Sequence, residues 1–420
     1  MSFFKEYLDY VGESESPDIY HRWTAISLIG SVLGRNFWFP HGHFTIYPNM
    51  YIMLQGLPAV RKSSAINIGN KILKKTGYKK FASSRMSREM FLQELHHINQ
   101  PNEENYSFEE LLDMKMDHAS EITIHAGEFL DFIGQGDKDY LMLITNLWDN
   151  LDEYKNPKLT SKTVVVTKPT INFLAANTPE SLNMAFPPEV IGSGTLSRFL
   201  FIHSPGTGKK ILMPKAPDPK KEQRIVDYLS DIQDQVKGEA TVTEGAIEVL
   251  DYLYNHQEPI DDPRFSHYTA RRLTHLLKLS LIVAASRLTT EITERDVLEA
   301  NTFLGAAEYG MPKALGHFGR SKYSASYHAI LEFLEEARKP MTLKDLYIRF
   351  SSDFAKETDF LATMMDMQNA DKVEAVREHD KFIGMKVKAT PFPKWLRPVM
   401  LTEELTKQEL SVIGLTHIGD

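Results

Sequence analysis

A lysine and two serines follow a short apolar run at Met50-Tyr51-Ile52-Met53-Leu54, in the order Gly56-Leu57-Pro58-Ala59-Val60-Arg61-Lys62-Ser63-Ser64. A glycine-led turn between a strand and a helix, closed by Lys-Ser, can wrap backbone N–H groups round phosphate oxygens. The helix N-terminus favours the negative charge there. On this reading Gly56, Pro58, Ala59, Val60 and Arg61 shape the cradle and Lys62 reaches the β- and γ-phosphates. Ser63 places its hydroxyl on Mg2+ and Ser64 supports it. Two positions depart from the usual pattern. Arg61 stands where a glycine normally precedes the lysine, and Ala59 where another is common; glycine there permits unusual dihedrals and close approach to phosphate. Arg61 would either add charge to the phosphates or spoil the loop's shape. The competing reading is a chance strand–turn–helix with a capping serine.

Phosphoryl transfer also needs a positioned water and a way to sense the terminal phosphate. The run Ile122-Thr123-Ile124-His125-Ala126-Gly127 ends on Glu128, which would orient the attacking water. Gly127 occupies the place where an aspartate usually backs up the metal, which leaves Mg2+ to Ser63 and waters. A second run, from Thr170 to Ala176, ends at Asn177, an amide fit to sense the γ-phosphate. Arg198 comes just before the run 199–202 and is placed to act as an arginine finger on a neighbouring subunit's nucleotide. Each has an ordinary alternative: a glutamate at a helix start, a turn asparagine and an ion-paired surface arginine. The order lysine, carboxylate, amide, arginine, each at a strand end, favours the chemical reading. Gly206-Thr207-Gly208-Lys209-Lys210 is a decoy, with His203 in place of the leading glycine and prolines where a helix should follow.

These residues need an α/β frame. Residues 1–47 read as a helical lead-in, with Pro17 where a helix can start. Residues 48–204 alternate short apolar runs with helices at 62–75, 87–97, 128–134 and 139–152, the texture of an α/β core. A Pro-, Gly- and Lys-rich linker at 204–221 precedes a helical lid, residues 221–311, with helices at 221–237, 243–256, 267–288 and 293–309. A basic linker leads into 325–390, which reads as three helices (325–338, 342–350, 357–370) and two strands around 373–376 and 383–387. That pattern suggests a winged helix, followed by a tail at 391–420.

The chain has 420 residues, too many for one core. No run approaches the ~18 apolar residues of a membrane helix, and no export signal is expected at the start. The absence of cysteine excludes disulfides, thiolate zinc sites and cysteine nucleophiles. The 15 histidines include no His-Glu-x-x-His, and His41, His43, His96 and His97 lack carboxylates at ligand spacing. A net charge of −8 argues against a protein that coats nucleic acid with its whole surface, but not against a basic channel. Lys155, Lys158, Lys162 and Lys168 flank β-branched residues in a predicted hairpin, where they would neutralise phosphates without reading sequence. Lysines that merely guard an exposed sheet edge are the alternative. The third helix of the last unit, with Asp359, Met364, Met365, Asp366 and Met367, is not a basic reading face.

Taken together, several segments resemble AAA+ replicative helicases of phages and prophages, similar in turn to superfamily 3 and minichromosome-maintenance-type motors. They are Tyr20-His21-Arg22-Trp23, Tyr47-Pro48-Asn49-Met50-Tyr51, Arg61-Lys62-Ser63, Ala126-Gly127-Glu128, Ala176-Asn177-Thr178-Pro179-Glu180, Gly192-Ser193-Gly194 with Ser197-Arg198, and Thr269-Ala270-Arg271-Arg272-Leu273-Thr274-His275 with Lys278-Leu279. The resemblance covers about residues 15–310. It implies an ATP hydrolase working with Mg2+ in a homo-oligomeric ring, commonly a hexamer, that translocates on single-stranded DNA. It also implies that Arg271 or Arg272 touches the γ-phosphate and that the lysine hairpin lines the pore. Replication proteins as partners and a cytoplasmic location, the host's if phage-encoded, follow from the same resemblance. Two alternatives stay open: a DNA-bound loader or initiator that does not unwind, and a scaffold that only binds nucleotide.

Overall fold

The computed structural model describes residues 2–83, 85–97, 119–156, 164–187, 190, 194–207, 209–316, 322–337, 339–370, 372–379, 381–388 and 399–415. The chain divides into two compact units, Met1–Leu315 with Pro398–Asp420, and Gly316–Arg397. Lead-in, α/β core and lid therefore share one unit, and most of the segment expected as a tail from 391 onward belongs to it.

Helix α1 (Phe3–Tyr10) and helix α2 (Asp18–Leu33) open the chain. α2 starts after Pro17, as its fixed φ favours. Every residue from Ile19 to Leu33 is buried, the mark of a helix enclosed on all sides. The expected helical lead-in ends there. Strands β1 (Phe37–His41) and β2 (Phe44–Ile46) form an antiparallel hairpin turned at Gly42, whose φ is +61°.

The core follows: β3 (Tyr51–Gln55), α3 (Lys62–Lys75), α4 (Arg88–His97), β4 (Glu121–Ala126), α5 (Phe129–Ile133) and α6 (Lys138–Leu147). Next come the antiparallel pair β5 (Glu153–Asn156) and β6 (Val164–Thr167), then β7 (Thr170–Asn177), α7 (Pro179–Ala185) and β8 (Leu200–His203). Strands β4-β7-β3-β8 lie in that order, all parallel, with Gln55 level with Asn177 on one side and His203 on the other. Their side chains are buried on both faces, as expected for parallel strands covered by helices. One polar device locks α2 to the sheet: Asn172 Nδ2 donates to Ser27 O, Ser27 Oγ and Ser31 Oγ.

The segment expected as a helical lid holds α8 (Pro219–Gln235), β9 (Gly238–Glu239), β10 (Thr241–Val242), α9 (Glu244–Asn255), α10 (Thr269–Ala285), β11 (Glu291–Ile292) and α11 (Glu294–Ala314). β9 pairs in parallel with β1, and β10 with β11. The second unit holds α12 (Lys322–Ala337), α13 (Leu343–Phe350), α14 (Glu357–Asn369) and the antiparallel pair β12 (Val373–Glu378) and β13 (Lys381–Val387). Met341 adds a bridge to Met385, exchanging two backbone hydrogen bonds of 2.8 and 2.9 Å. A Cβ on Gly384 would stand 2.7 Å from Met341 O, so glycine is required there. Met364 and Met367 of α14 lie in this unit's core with Phe354 and Phe360. After it, α15 (Lys407–Val412) rejoins the first unit. Among the described residues no helix is long and apolar enough to cross a membrane.

Candidate functional site

Three of the four residues picked out, Lys62, Glu128 and Asn177, lie where the parallel strands finish, and Arg198 does not. Gly56 leaves β3 under severe crowding: a Cβ would stand 2.6 Å from Tyr20 Oη and 2.9 Å from Ser204 O. The loop then turns through Ala59 and Arg61, both left-handed at φ +68° and +60°. These are the two positions where glycine was missing, and the backbone adopts glycine-like angles there regardless. Such a conformation costs on the order of 1–3 kcal/mol at a residue bearing a Cβ, and it clusters at ligand-binding loops. Lys62, 6% exposed, folds back to donate to Gly56 O at 2.7 Å and Leu57 O at 2.8 Å. Burial lowers its pKa, while the charges of Glu128 and Glu180 oppose that shift.

Ser63 Oγ donates to Gly127 O at 3.0 Å, which ties the start of α3 to the end of β4. A Cβ built on Gly127 would lie 3.8 Å from Ser63 Oγ, so the position expected to carry an aspartate does face this hydroxyl. Glu128 follows as the N-cap residue of α5. Burial raises its pKa and Lys62 pulls it down, which puts the carboxylate within the ammonium's field. Asn177 is fully buried; its Oδ1 accepts from Thr178 N at 3.1 Å, leaving Nδ2 without a partner among the described residues.

Three residues not assigned a site role from sequence complete this end of the sheet. Gln55 is buried with neither amide atom hydrogen-bonded among the described residues, and His203 likewise lacks a partner at Nδ1. Burial, aided by Lys313, lowers the His203 pKa to about 4. Tyr20 Oη donates to Gln55 O at 2.6 Å and holds the loop's root. A polar residue ending an all-apolar strand was the only sequence signal for Gln55. Buried polar atoms without partners beside a crowded, left-handed loop are open to a bound ligand or water.

Arg61 does not face the loop's interior. Its guanidinium pairs with Glu15 at 2.7 Å, and Ser16 Oγ donates to its carbonyl at 2.7 Å. Arg61 and Ser64 line a cavity of about 660 Å³ together with Tyr10, Glu13, Lys215 and Lys221. A Mg2+ ion would find Ser63 and, through water, Glu128. Among the described residues no group of three His, Asp or Glu could hold a metal unaided.

Arg198 sits at the opposite end of the sheet. Arg198 ends a 3-10 turn (Leu196–Arg198) just before β8, whose first residue Leu200 is level with Ile52 near the start of β3, whereas Gly56 follows the other end of β3. The guanidinium of Arg198 meets Asp149 at 2.7 Å.

The two arginines of α10 are tied to side chains of their own protomer. Arg272 is 2% exposed and committed to Glu308 at 2.7 and 3.1 Å and to Asn301 at 2.8 Å, so it has no reach toward Lys62. Arg271 shares Asp149 with Arg198, at 3.5 Å, at the far end of the sheet. α10 is held instead beside the strand beginnings, where His275 Nε2 bonds Ser197 O and Lys278 donates to Asn49 Oδ1. Among the described residues of the decoy at Gly206 there is no helix.

Of the four hairpin lysines, Lys155 lies on β5 and pairs with Glu153 at 2.7 Å, and Lys168 follows β6 with φ +44°. Lys158 and Lys162 lie outside the described residues, as do Gly192 and Ser193. No protein-family model matches the chain, and no curated protein matches its sequence.

Proposed function

We propose that the chain is an ATP-driven replicative DNA helicase with an AAA+-type core, working as a ring of identical subunits on single-stranded DNA. One observation carries the ATPase part of this reading. Lys62, Ser63, Glu128 and the unpartnered amide of Asn177 meet at the ends of parallel strands, around a left-handed loop, with the β7 strand between the loop's strand and the carboxylate's. Lys62 would exchange two neutral carbonyls for phosphate oxygens, a gain in charge-assisted bonding. Glu128 would hold and polarise the attacking water, and Asn177 Nδ2 would donate to the terminal phosphate. Mg2+, when bound, supplies charge neutralisation across the phosphate oxygens. The cavity beside Arg61 and Ser64 adjoins the loop and has room for the nucleoside part.

The DNA part rests on the motif resemblance and on the lysine-bearing β5–β6 hairpin. The winged-helix reading of the second unit rests on its three helices, its antiparallel pair and the Met341 bridge. Gly127, with no carboxylate to back the metal, favours the second reading, a scaffold that binds nucleotide without turning it over.

The test is ATP turnover with and without single-stranded DNA, followed by unwinding of a forked duplex. Lys62→Ala and Glu128→Gln are each expected to cut DNA-stimulated turnover on the order of 10²-fold or more, the scale of losing one preorganised group. Glu128→Gln is expected to retain ATP binding. Turnover unaffected by Lys62→Ala sinks the site assignment. ATP binding without turnover in the native chain favours the scaffold.

A further inference from the structure

Arg61 holds a left-handed backbone while carrying a full side chain, and two residues of the turn between α1 and α2 account for how. Ser16, almost fully buried, donates its hydroxyl to Arg61 O at 2.7 Å, and Ser14 Oγ in turn accepts from Ser16 N at 3.1 Å. Glu15 Oε2 takes the Arg61 guanidinium at Nε and Nη2, both at 2.7 Å, which turns that side chain out of the loop. The other oxygen of the same carboxylate accepts from Ile211 N at 2.8 Å, and Glu15 O accepts from Thr207 Oγ1 at 3.0 Å. The Ile211 N–H, and after it the guanidinium, hold the Glu15 carboxyl below its ordinary pKa. A Cβ on Gly206 would stand 3.2 Å from Val60 Cγ1, so the stretch that follows β8 lies directly against the loop. Arg61 O also takes Ala65 N at 3.4 Å, the first turn of α3. One short turn therefore grips both the loop and the segment after β8.

We propose that Glu15 and Ser16 are positioning residues of the Lys62 loop: they hold Arg61 in the conformation that a glycine would adopt unaided, and they fasten the loop to residues 204–211. The proposal rests on the reading of that loop as a phosphate site. A left-handed conformation is disfavoured at any residue with a Cβ, so contacts from outside must fix it. Here both contacts come from a turn some 45 residues earlier in the chain. One fixes the Arg61 carbonyl and the other its side chain, and together they leave residue 61 a single orientation. Lys62 is the first residue of α3, so the angle at Arg61 sets the direction in which Lys62 and Ser63 leave the loop. Nucleotide then meets a loop already ordered, which avoids the entropy of ordering it on binding. On this account Arg61 is not a phosphate ligand. Its charge is neutralised outside the loop, and the loop uses only its backbone angle.

The test titrates the full chain and its variants with ATP by calorimetry. Glu15→Ala is expected to weaken binding about fivefold or more, the low end of what an unsupported left-handed residue costs. Arg61→Gly alone is expected to stay within about twofold of native, and in that background Glu15→Ala is expected to lose its effect, because glycine needs no outside restraint. Ser16→Ala is expected to follow the same pattern. Equal weakening by Glu15→Ala in both backgrounds overturns the proposal, since the carboxylate would then only anchor residues 204–211. Tighter binding in Glu15→Ala also overturns it, because Glu15 would then be withholding Arg61 from the phosphates; so does unchanged binding. Glu15→Gln carries the same expectations should the alanine variant fail to fold. Exchange of the Ala65 amide hydrogen, followed without ligand by mass spectrometry, is expected to quicken about threefold or more in Glu15→Ala, and unchanged exchange overturns the proposal. That measurement stands even if the native chain binds no ATP, a result that would sink the reading of the loop and leave the role of Glu15 to the exchange rates.

Discussion

Lys62 illustrates how a buried charge is kept usable: burial lowers its pKa, and the field of Glu128, an exposed carboxylate that is itself partly desolvated, opposes that shift. Four histidines have no such carboxylate partner among the described residues. Burial lowers His21, His125 and His275 from 6.5 to about 3, and His203 to about 4. A histidine whose folded pKa lies below its unfolded value binds its proton only when the chain unfolds. Stability is therefore intact above about pH 6.5 and is lost as the pH falls from there toward the folded values. Each ring is expected to cost about 1.4 kcal/mol per pH unit across that window. Urea titrations at pH 7.5, 6.5 and 5.5 check this, because most carboxylates remain ionised throughout; equal unfolding free energies at all three would contradict neutral burial of these rings. The loop residues were legible from their order in the chain, since a lysine, a carboxylate and an amide at successive strand ends are local features. Gln55, His203 and Asp149 were not, because their meaning comes from neighbours contributed by distant segments.

Elements show the same division between local and distant causes. The limits predicted for α3 agree with the helix found, Lys62–Lys75, because its amphipathic spacing and its basic last turn are local. The hairpin β1–β2 was hidden inside an expected helical lead-in. Phe37-Trp38-Phe39 is extended partly because Phe37 and Trp38 pair with Gly238 and Glu239, some two hundred residues later, and no local periodicity reports that. The return of α15 was equally invisible. Its Glu409 closes a capping box with Thr406 and also forms a two-pronged pair with Arg22 of α2, at 2.5 and 2.7 Å, both side chains almost fully buried. Arg22 also donates to Glu404 O at 2.8 Å and lies 4.4 Å from the centre of the Phe303 ring. Glu409→Ala strands that guanidinium in the interior and is expected to lower stability by about 3–5 kcal/mol. Replacing both partners, Arg22→Met with Glu409→Leu, is expected to recover most of the loss, since an apolar pair leaves no orphaned charge. Denaturant midpoints of the three proteins decide it; a single-variant loss under about 1 kcal/mol would mean the pair is not what anchors the returning segment.

On the scale of the whole molecule, Lys62 and Arg198 lie at opposite ends of one sheet, and no single protomer brings them together. If both serve one hydrolysis event, the contact between copies must be head-to-tail, joining the strand-end face of one to the strand-start face of the next. Such an interface repeats until a ring closes. This has a consequence that no intramolecular site shares. A protein with Lys62→Ala keeps its arginine face, and one with Arg198→Ala keeps its phosphate loop. Each alone is expected to be inactive, whereas an equal mixture is expected to regain about a quarter of native turnover, the fraction of randomly formed head-to-tail contacts that pair an intact loop with an intact arginine. The recovery should grow with total protein concentration, because on the proposed reading activity needs a contact between copies. Mixing the two variants and measuring ATP hydrolysis over a concentration series is sufficient. A mixture as inactive as its components would place the two residues in separate functions, and residual activity of the Arg198→Ala protein near the native level would remove the arginine from the reaction altogether.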